Sequence, residues 1–340
     1  MPGIDIFNDD AFSVTSLLTA VDKVGYVPGS LGSIPGLFEP APVRSEAIWI
    51  EARGTDAALI QTSARGEAPA AKGDSRRTAT PFATKRLAQG SRITSSELAG
   101  IREFGTENVL RQVQTEVARR QFLLKRDMDL TFENWRLGCI QGIVTDADGS
   151  TIVDWATALG QTIPAEVDFD LDNANPASGA LRKKCAVAVR SMSRGLKGLG
   201  GNSVTFMALC DDTSWDDLIA HPEVRETYLG QQEAAQLRGA SAWESFNFGG
   251  ITWMNYRGTD DNSTVAIGAG KIKMFPVGAG IFKWAMSPGE QFEHIGQLGQ
   301  MFYPGIVTDK DRNMWADVEL YAYPLPVCVM PQALYRGRNT

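Results

Sequence analysis

The chain has 340 residues, 43% of them hydrophobic, and its 33 basic and 40 acidic side chains leave a net charge of −7. That apolar content can bury a core, and 21% charged with 9% aromatic residues is ordinary for a globular protein, which excludes wholesale disorder. The acidic balance excludes a nucleic-acid binder whose whole surface is basic, because neutralising phosphates needs clustered Lys and Arg.

Cys139, Cys185, Cys210 and Cys328 are widely spaced, form no C-x-x-C pair and sit in apolar surroundings, so they read as small buried hydrophobes in a reducing compartment. The first ten residues lack the basic and apolar regions of a signal peptide. No apolar run reaches the roughly 18 to 20 residues that cross a bilayer. The expectation is a protein that assembles in the cytoplasm and has no membrane partner.

Residues 1–47 mix short amphipathic pieces with turn formers. Between 25 and 36, Pro28, Gly29, Gly32, Pro35 and Gly36 are too dense for a regular element, and the region reads as an extended arm. Residues 48–62 and 81–93 are β-leaning and flank a polar, small-residue stretch, so 48–93 reads as a projecting β-hairpin. Eight basic residues lie in 51–92 (Arg53, Arg65, Lys72, Arg76, Arg77, Lys85, Arg86 and Arg92) against four acidic ones. That segment therefore carries +4, and the rest of the chain −11.

The strongest periodicity follows. Thr94-Ser95-Ser96-Glu97 offers N-cap groups with an acid in the first turn. Val109, Val113 and Val117 recur four apart, and Leu124, Met128, Phe132 and Trp135 continue the stripe toward Gly138, read as the stop. The spacing predicts a helix of about 30 residues, some 45 Å long. Asp146-Ala-Asp148-Gly149 then reads as a hairpin turn. Residues 177–199 fit an amphipathic helix, 202–209 a strand, and 211–228 a helix interrupted at Pro222. Residues 246–284 alternate strands with Gly-rich turns, and 315–330 read as a strand pair kinked at Pro324 and Pro326.

This order of pieces resembles the HK97-type capsid subunit, and local strings resemble the lambda major capsid protein family, also called family E. They are Arg65-Gly66-Glu67-Ala68-Pro69 with Arg76-Arg77; Ile93 to Leu98 leading into Ile101-Arg102-Glu103-Phe104-Gly105; Asp146 to Ser150; and Pro304-Gly305 and Asp309 followed by Leu320 to Pro326. The resemblance covers about 40–335. It implies an α+β, HK97-like capsid fold with an N-terminal arm (1–47) and an extended β-hairpin loop (48–93). It further implies a peripheral domain with the long spine helix (94–176 and 301–340) and an axial domain (177–300). It implies a major capsid protein that self-assembles, in hexamers and pentamers, into an icosahedral head enclosing double-stranded phage DNA. The virion would be its place, and portal, scaffold and decoration proteins its partners. An encapsulin-like nanocompartment shell and an α/β enzyme are the alternatives.

Catalytic motifs are weighed against plainer readings. His221 and His294 stand in unrelated contexts, with no H-x-x-x-H and no G-x-S-x-G. Gly268-Ala-Gly270-Lys271-Ile272 lacks the leading Gly and the trailing Ser or Thr of a phosphate loop. Asp309, Asp311 and Asn313 start like a calcium loop, but Met314 replaces the required Gly and Leu320 the closing Glu. Asp146 and Asp148 need only a turn, and Asn262-Ser263-Thr264 has no meaning as a glycosylation site in a cytoplasmic protein. The expectation is no enzyme, no cofactor, no metal and no catalytic residue. The eight basic residues of 51–92 are instead read as docking groups for a neighbouring subunit's acidic surface.

Overall fold

A computed structural model describes residues 29–53, 77–100, 109–229, 245–259 and 264–339. The chain opens with α1 (Ser30–Ser33), β1 (Glu39–Pro42) and the hairpin β2 (Ala47–Arg53) and β3 (Arg77–Ala83). Then come β4 (Leu87–Thr94), α2 (Ser95–Gly100), the long helix α3 (Val109–Gln141), β5 (Ile143–Thr145), β6 (Thr151–Asp154) and α4 (Trp155–Leu159). The middle of the chain holds β7 (Val167–Asp168), α5 (Ala180–Gly195), β8 (Thr205–Cys210), α6 (Asp212–Ala220), α7 (Pro222–Leu229), β9 (Ser245–Phe248), β10 (Ile251–Asn255) and β11 (Lys271–Val277). It closes with β12 (Phe282–Met286), β13 (Tyr303–Thr308), β14 (Trp315–Ala322), β15 (Pro324–Cys328) and β16 (Tyr335–Arg338).

Helix α3 is 33 residues, about 50 Å at 1.5 Å per residue. Val113, Val117, Leu124, Met128, Phe132, Trp135, Cys139 and Ile140 are buried along one stripe, which Gln121 joins. The helix runs past Gly138, the expected stop, and ends before Gly142, whose φ of 90° turns the chain out. Gly138 answers another need: a Cβ there would lie 2.7 Å from the carbonyl oxygen of Ile143, so its lack of a side chain lets β5 pack against the helix. The helical entry is stronger than expected, because Thr94 and Glu97 form a reciprocal capping box on α2: Thr94 N donates to Glu97 Oε2 (3.1 Å) and Glu97 N to Thr94 Oγ1 (3.4 Å).

Three sheets surround the helix. In the first, in order β13-β14-β4, β14 alternates strictly, placing Ala316, Val318, Leu320 and Ala322 in the core shared with the α3 stripe. The second, β1-β12-β15, has proline in both outer strands: Pro40 and Pro42 in one, Pro324 and Pro326 in the other. Proline has no N–H to offer an outside strand, so both edges are blunted against stray pairing. The run 315–330 therefore divides at Tyr323 into strands of two sheets, rather than forming one kinked pair. The third sheet, β7-β16-β11-β8-β10-β9, packs Leu181, Cys185, Ala188 and Met192 of α5 and Trp215 and Leu218 of α6 in one core. Asp211 caps α6, and the helical run breaks at Pro222 as expected.

Of the segment read as too rich in Pro and Gly for regular structure, the described residues from 29 on are in fact anchored. Leu31 in the short α1 and Leu37 after it are both 1% exposed, and Leu31 N donates to Glu133 Oε1 of α3 at 2.8 Å. Tyr256 Oη reaches the same oxygen at 3.3 Å. A buried carboxylate a hundred residues downstream supplies the order that local propensity does not.

Candidate assembly surfaces

The hairpin β2–β3 pairs Ala47 with Ala83 through to Arg53 with Arg77. Ile48, Ile50 and Phe82 pack on the central core, with Phe82 5.0 Å from the ring of Trp155, while Trp49 on the opposite face is 61% exposed. Its root is pinned by hydroxyls: Thr84 Oγ1 donates to Ser287 Oγ (2.8 Å), which donates to Ser45 O (2.8 Å). The hairpin is thus firmly held at its root.

The eight basic residues fall into groups. Arg53 and Arg77 stand opposite each other at the last described pair of the hairpin. Arg65, Lys72 and Arg76 lie outside the described residues. Lys85 is exposed, and its backbone N–H donates to Pro324 O at 3.1 Å. Arg86 and Arg92 are engaged within the chain. Arg92 sits directly across the β4–β14 ladder from Asp317 and grips it with Nε and Nη2, both at 2.8 Å, its guanidinium 4.1 Å from the centre of the Trp315 ring. Arg86 pairs with Glu290 at 3.2 Å and stacks over Tyr321 at 5.2 Å. The structure sets Arg53 and Arg77 opposite each other on the hairpin, and places Arg92 on β4, in the sheet of β13 and β14, with Arg86 just before that strand.

Beneath the hairpin root is an open cleft of about 470 Å³, walled by Arg44, Glu46, Thr84, Arg86, Glu290 and Ile295 among others. Beside it runs the connection 287–302, in which Phe292 is 94%, Ile295 70%, Leu298 50% and Met301 39% exposed. Sequence reasoning overlooked this stretch. Its signal, large apolar residues every third position among Gly, Gln and Glu, was present, but spacing does not say which way residues face.

The motifs set aside as turns are turns. Gly149 has φ 82°, and Asp148 Oδ1 accepts from Ser150 N and Oγ, closing the β5–β6 hairpin. Asp309 Oδ1 accepts from the backbone N–H groups of Asp311 and Arg312. Lys271 N donates to Gly268 O, turning the chain into β11. His221 is buried, and burial holds its imidazole below the ordinary histidine value. All four cysteines are buried and free; burial pushes the thiols of Cys185 and Cys328 up to about 12. Such thiols are packing groups. Among the described residues no group of three or more His, Cys, Asp or Glu is placed to hold a metal, and no helix is long and apolar enough to cross a membrane.

Residues 13–339 match the family described as Phage major capsid protein E. The major capsid protein of Salmonella phage Felix O1 (isolate Felix O1-VT1) is 25% identical, over 92% of this chain and 93% of that one. The major capsid protein of Pseudomonas phage KPP10 is 24% identical, over 89% and 90%. Two solved structures share the fold: the capsid of Myoviridae phage XM1 (TM-score 0.54, 11% identity, 93% of this chain and 94% of that one) and the mature capsid of bacteriophage PhiM1 (0.54, 9%, 93% and 89%). The mixed helix-and-sheet architecture is thus the HK97-like capsid fold that the resemblance implied. A long helix crossed by sheets, a hairpin packed by one face on the core, and a family match over nearly the whole length agree: this chain belongs to the phage major capsid protein E family.

Proposed function

We propose that this shell-forming major capsid protein tiles an icosahedral head around double-stranded DNA, in hexamers and pentamers, by laying its β2–β3 hairpin over the acidic surface of a neighbouring subunit. The observation that carries this reading is the hairpin itself. Its inner face is packed on its own core and its outer face presents Trp49. Basic residues are concentrated in and beyond it, with +4 in 51–92 against −11 elsewhere. Opposite charge on two copies of one chain steers encounter and fixes register. Arg53, Arg65, Lys72, Arg76, Arg77 and Lys85 carry the docking charge in this scheme. Arg86 ties the chain next to the root to Glu290, and Arg92 ties β4 to Asp317 of β14.

The division into arm (1–47), extended loop (48–93), peripheral domain (94–176 and 301–340) and axial domain (177–300) belongs to the same proposal. It is supported by the separate cores of the six-stranded sheet and of α3 with β14, although β7 and β16 bring 167–168 and 335–338 to the six-stranded sheet. The role is mechanical and not catalytic. Assembly takes place in the host cytoplasm, with portal and scaffold proteins as partners and a decoration protein as a further one. The family match disfavours a cargo-housing nanocompartment and an enzyme.

Replacing residues 54–76 by a two-residue turn, together with Arg53→Glu, Arg77→Glu and Lys85→Glu, removes all six docking charges and tests the docking role. The expected result is folded subunits that no longer close into shells, seen by negative-stain electron microscopy. Closed shells of normal stability would refute the docking role, and particles that never contain nucleic acid would refute the head.

A further inference from the structure

The connection 287–302 between β12 and β13 has its apolar residues on the outside, and its backbone leaves them no freedom to turn in. Tyr303 Oη donates to Ser287 O (3.0 Å) and accepts from Gln300 N (2.7 Å), tying the two ends of the connection together. Gly299 N donates to Val43 O at 2.9 Å. His294 is buried, its ring 4.6 Å from that of Tyr303. Gln297 Nε2 donates to Glu293 O at 2.7 Å. With positions 294, 299 and 303 fastened inward, Phe292, Ile295, Leu298 and Met301 project outward, and Phe292 is nearly as exposed as a residue can be.

A monomer gains nothing from this arrangement, since single exposed apolar residues are common but four on ten residues are not. For an interface it is favourable. The anchors are already ordered, so covering them loses little conformational freedom. They are bordered by the polar Glu293, Gln297 and Gln300, the pattern of an apolar centre within a hydrated rim.

We infer that residues 292–301 form an interface to a second copy of this chain, with Phe292 as its anchor. The inference rests on the shell reading, in which copies of one chain are each other's partners. Two observations favour that occupant. Ile295 belongs both to this set and to the wall of the cleft at the hairpin root, so the apolar surface adjoins the base of the hairpin proposed to dock. The charges are also complementary: with Arg86 and Glu290 paired to each other, Glu46 and Glu293 outnumber Arg44 at this site, while Arg53, Arg65, Lys72, Arg76, Arg77 and Lys85 of another copy outnumber the four acidic residues of its 51–92.

The four native cysteines are buried, so F292C gives the purified protein a single exposed thiol for a maleimide dye. Dissociated subunits should label rapidly, and closed shells made from the same protein at least ten times more slowly. Equal rates in the two states would overturn the interface. Slow labelling already in the dissociated subunit would also overturn it, because the chain's own residues would then cover Phe292. Because only this chain is present, protection on assembly can come only from another copy. As a second variant, F292S/I295S should keep the subunit's melting temperature yet lower the yield of closed shells at least ten-fold. Wild-type yield would refute the inference while leaving the shell reading intact. A wild-type protein that closes no shells even when its scaffold protein is supplied would refute the shell reading itself.

Discussion

Helix α3 and the connection 287–302 both carry large apolar residues three or four positions apart, yet one set is buried and the other exposed. Along α3, positions 113, 117, 124, 128, 132 and 135 are at most 5% exposed. Along the connection, positions 292, 295, 298 and 301 range from 39% to 94%. The two regions meet: Phe302, next to the last of the outward residues, stacks on Phe132 at 5.5 Å. What separates them is how the backbone is satisfied. A helix closes its own hydrogen bonds and is free to rotate its apolar stripe toward a partner, so hydrophobicity sets its orientation. The connection meets its backbone needs at Val43 and Tyr303, and those fixed bonds set which side chains face out. Equal hydrophobic spacing thus becomes core in one place and interface in the other.

The comparison breaks most visibly at Phe132. Its ring lies 5.2 Å from Trp284 and 5.5 Å from Phe302, joining helix, sheet and connection. Phe132→Ala should destabilise the unassembled subunit by about 3–5 kcal/mol, the usual loss for a fully buried aromatic. Urea unfolding followed by tryptophan fluorescence measures it. A loss below about 1.5 kcal/mol would mean that the three elements pack independently.

How much of this was legible in the sequence follows from the same distinction. Helix α3, the β5–β6 turn, α5 and the break at Pro222 were readable, because each depends on local periodicity or on one residue's backbone preference. Gly138 was misread because its reason is the close approach of β5, which no helix rule contains. The fold of 29–37 was unreadable for a similar reason: its order comes from Glu133, about a hundred residues away. The β-leaning character of 81–93 was visible, but its reading as the second arm of the hairpin was not right. That arm is β3 (Arg77–Ala83), and β4 (Leu87–Thr94) leaves it to pair with β14, more than 220 residues on, since β-propensity gives a strand and not its neighbour. Of the docking residues, the basic surplus could be counted, whereas the commitment of Arg92 to Asp317 needed the ladder register.

A smaller effect sharpens the helix side. Glu116 is 8% exposed and accepts from Arg119 Nη2 at 2.8 Å and from Arg120 Nε at 2.8 Å; Arg120 also reaches Glu97 and the β4 backbone. The bonds from Arg119, then Arg120, hold its carboxyl below the ordinary glutamate value. A depressed folded value means that this stabilisation is complete above the ordinary glutamate range and is lost as pH falls through the lower folded value. Glu116→Gln should therefore cost about 1–2 kcal/mol at neutral pH. The gap between variant and wild type should close as thermal melts are taken down to about pH 3. A pH-independent gap would assign the loss to packing and remove the network from the account of how α3 is tied to β4.

The smallest expected effect is the most discriminating. Phe292 is 94% exposed, so Phe292→Ser removes no buried area from the isolated subunit and should change its stability by no more than about 0.5 kcal/mol. Set beside the Phe132 result, that disparity of at least about sixfold between two phenylalanines measures the contrast between inward and outward faces. Melting of dissociated subunits provides the number. A loss of 2 kcal/mol or more, typical of a buried aromatic, would show that the chain covers Phe292 with its own residues and that the connection is core after all. A near-zero value, combined with shells that close poorly, would place the energetic role of this side chain between subunits, where the fixed backbone of 287–302 already points it.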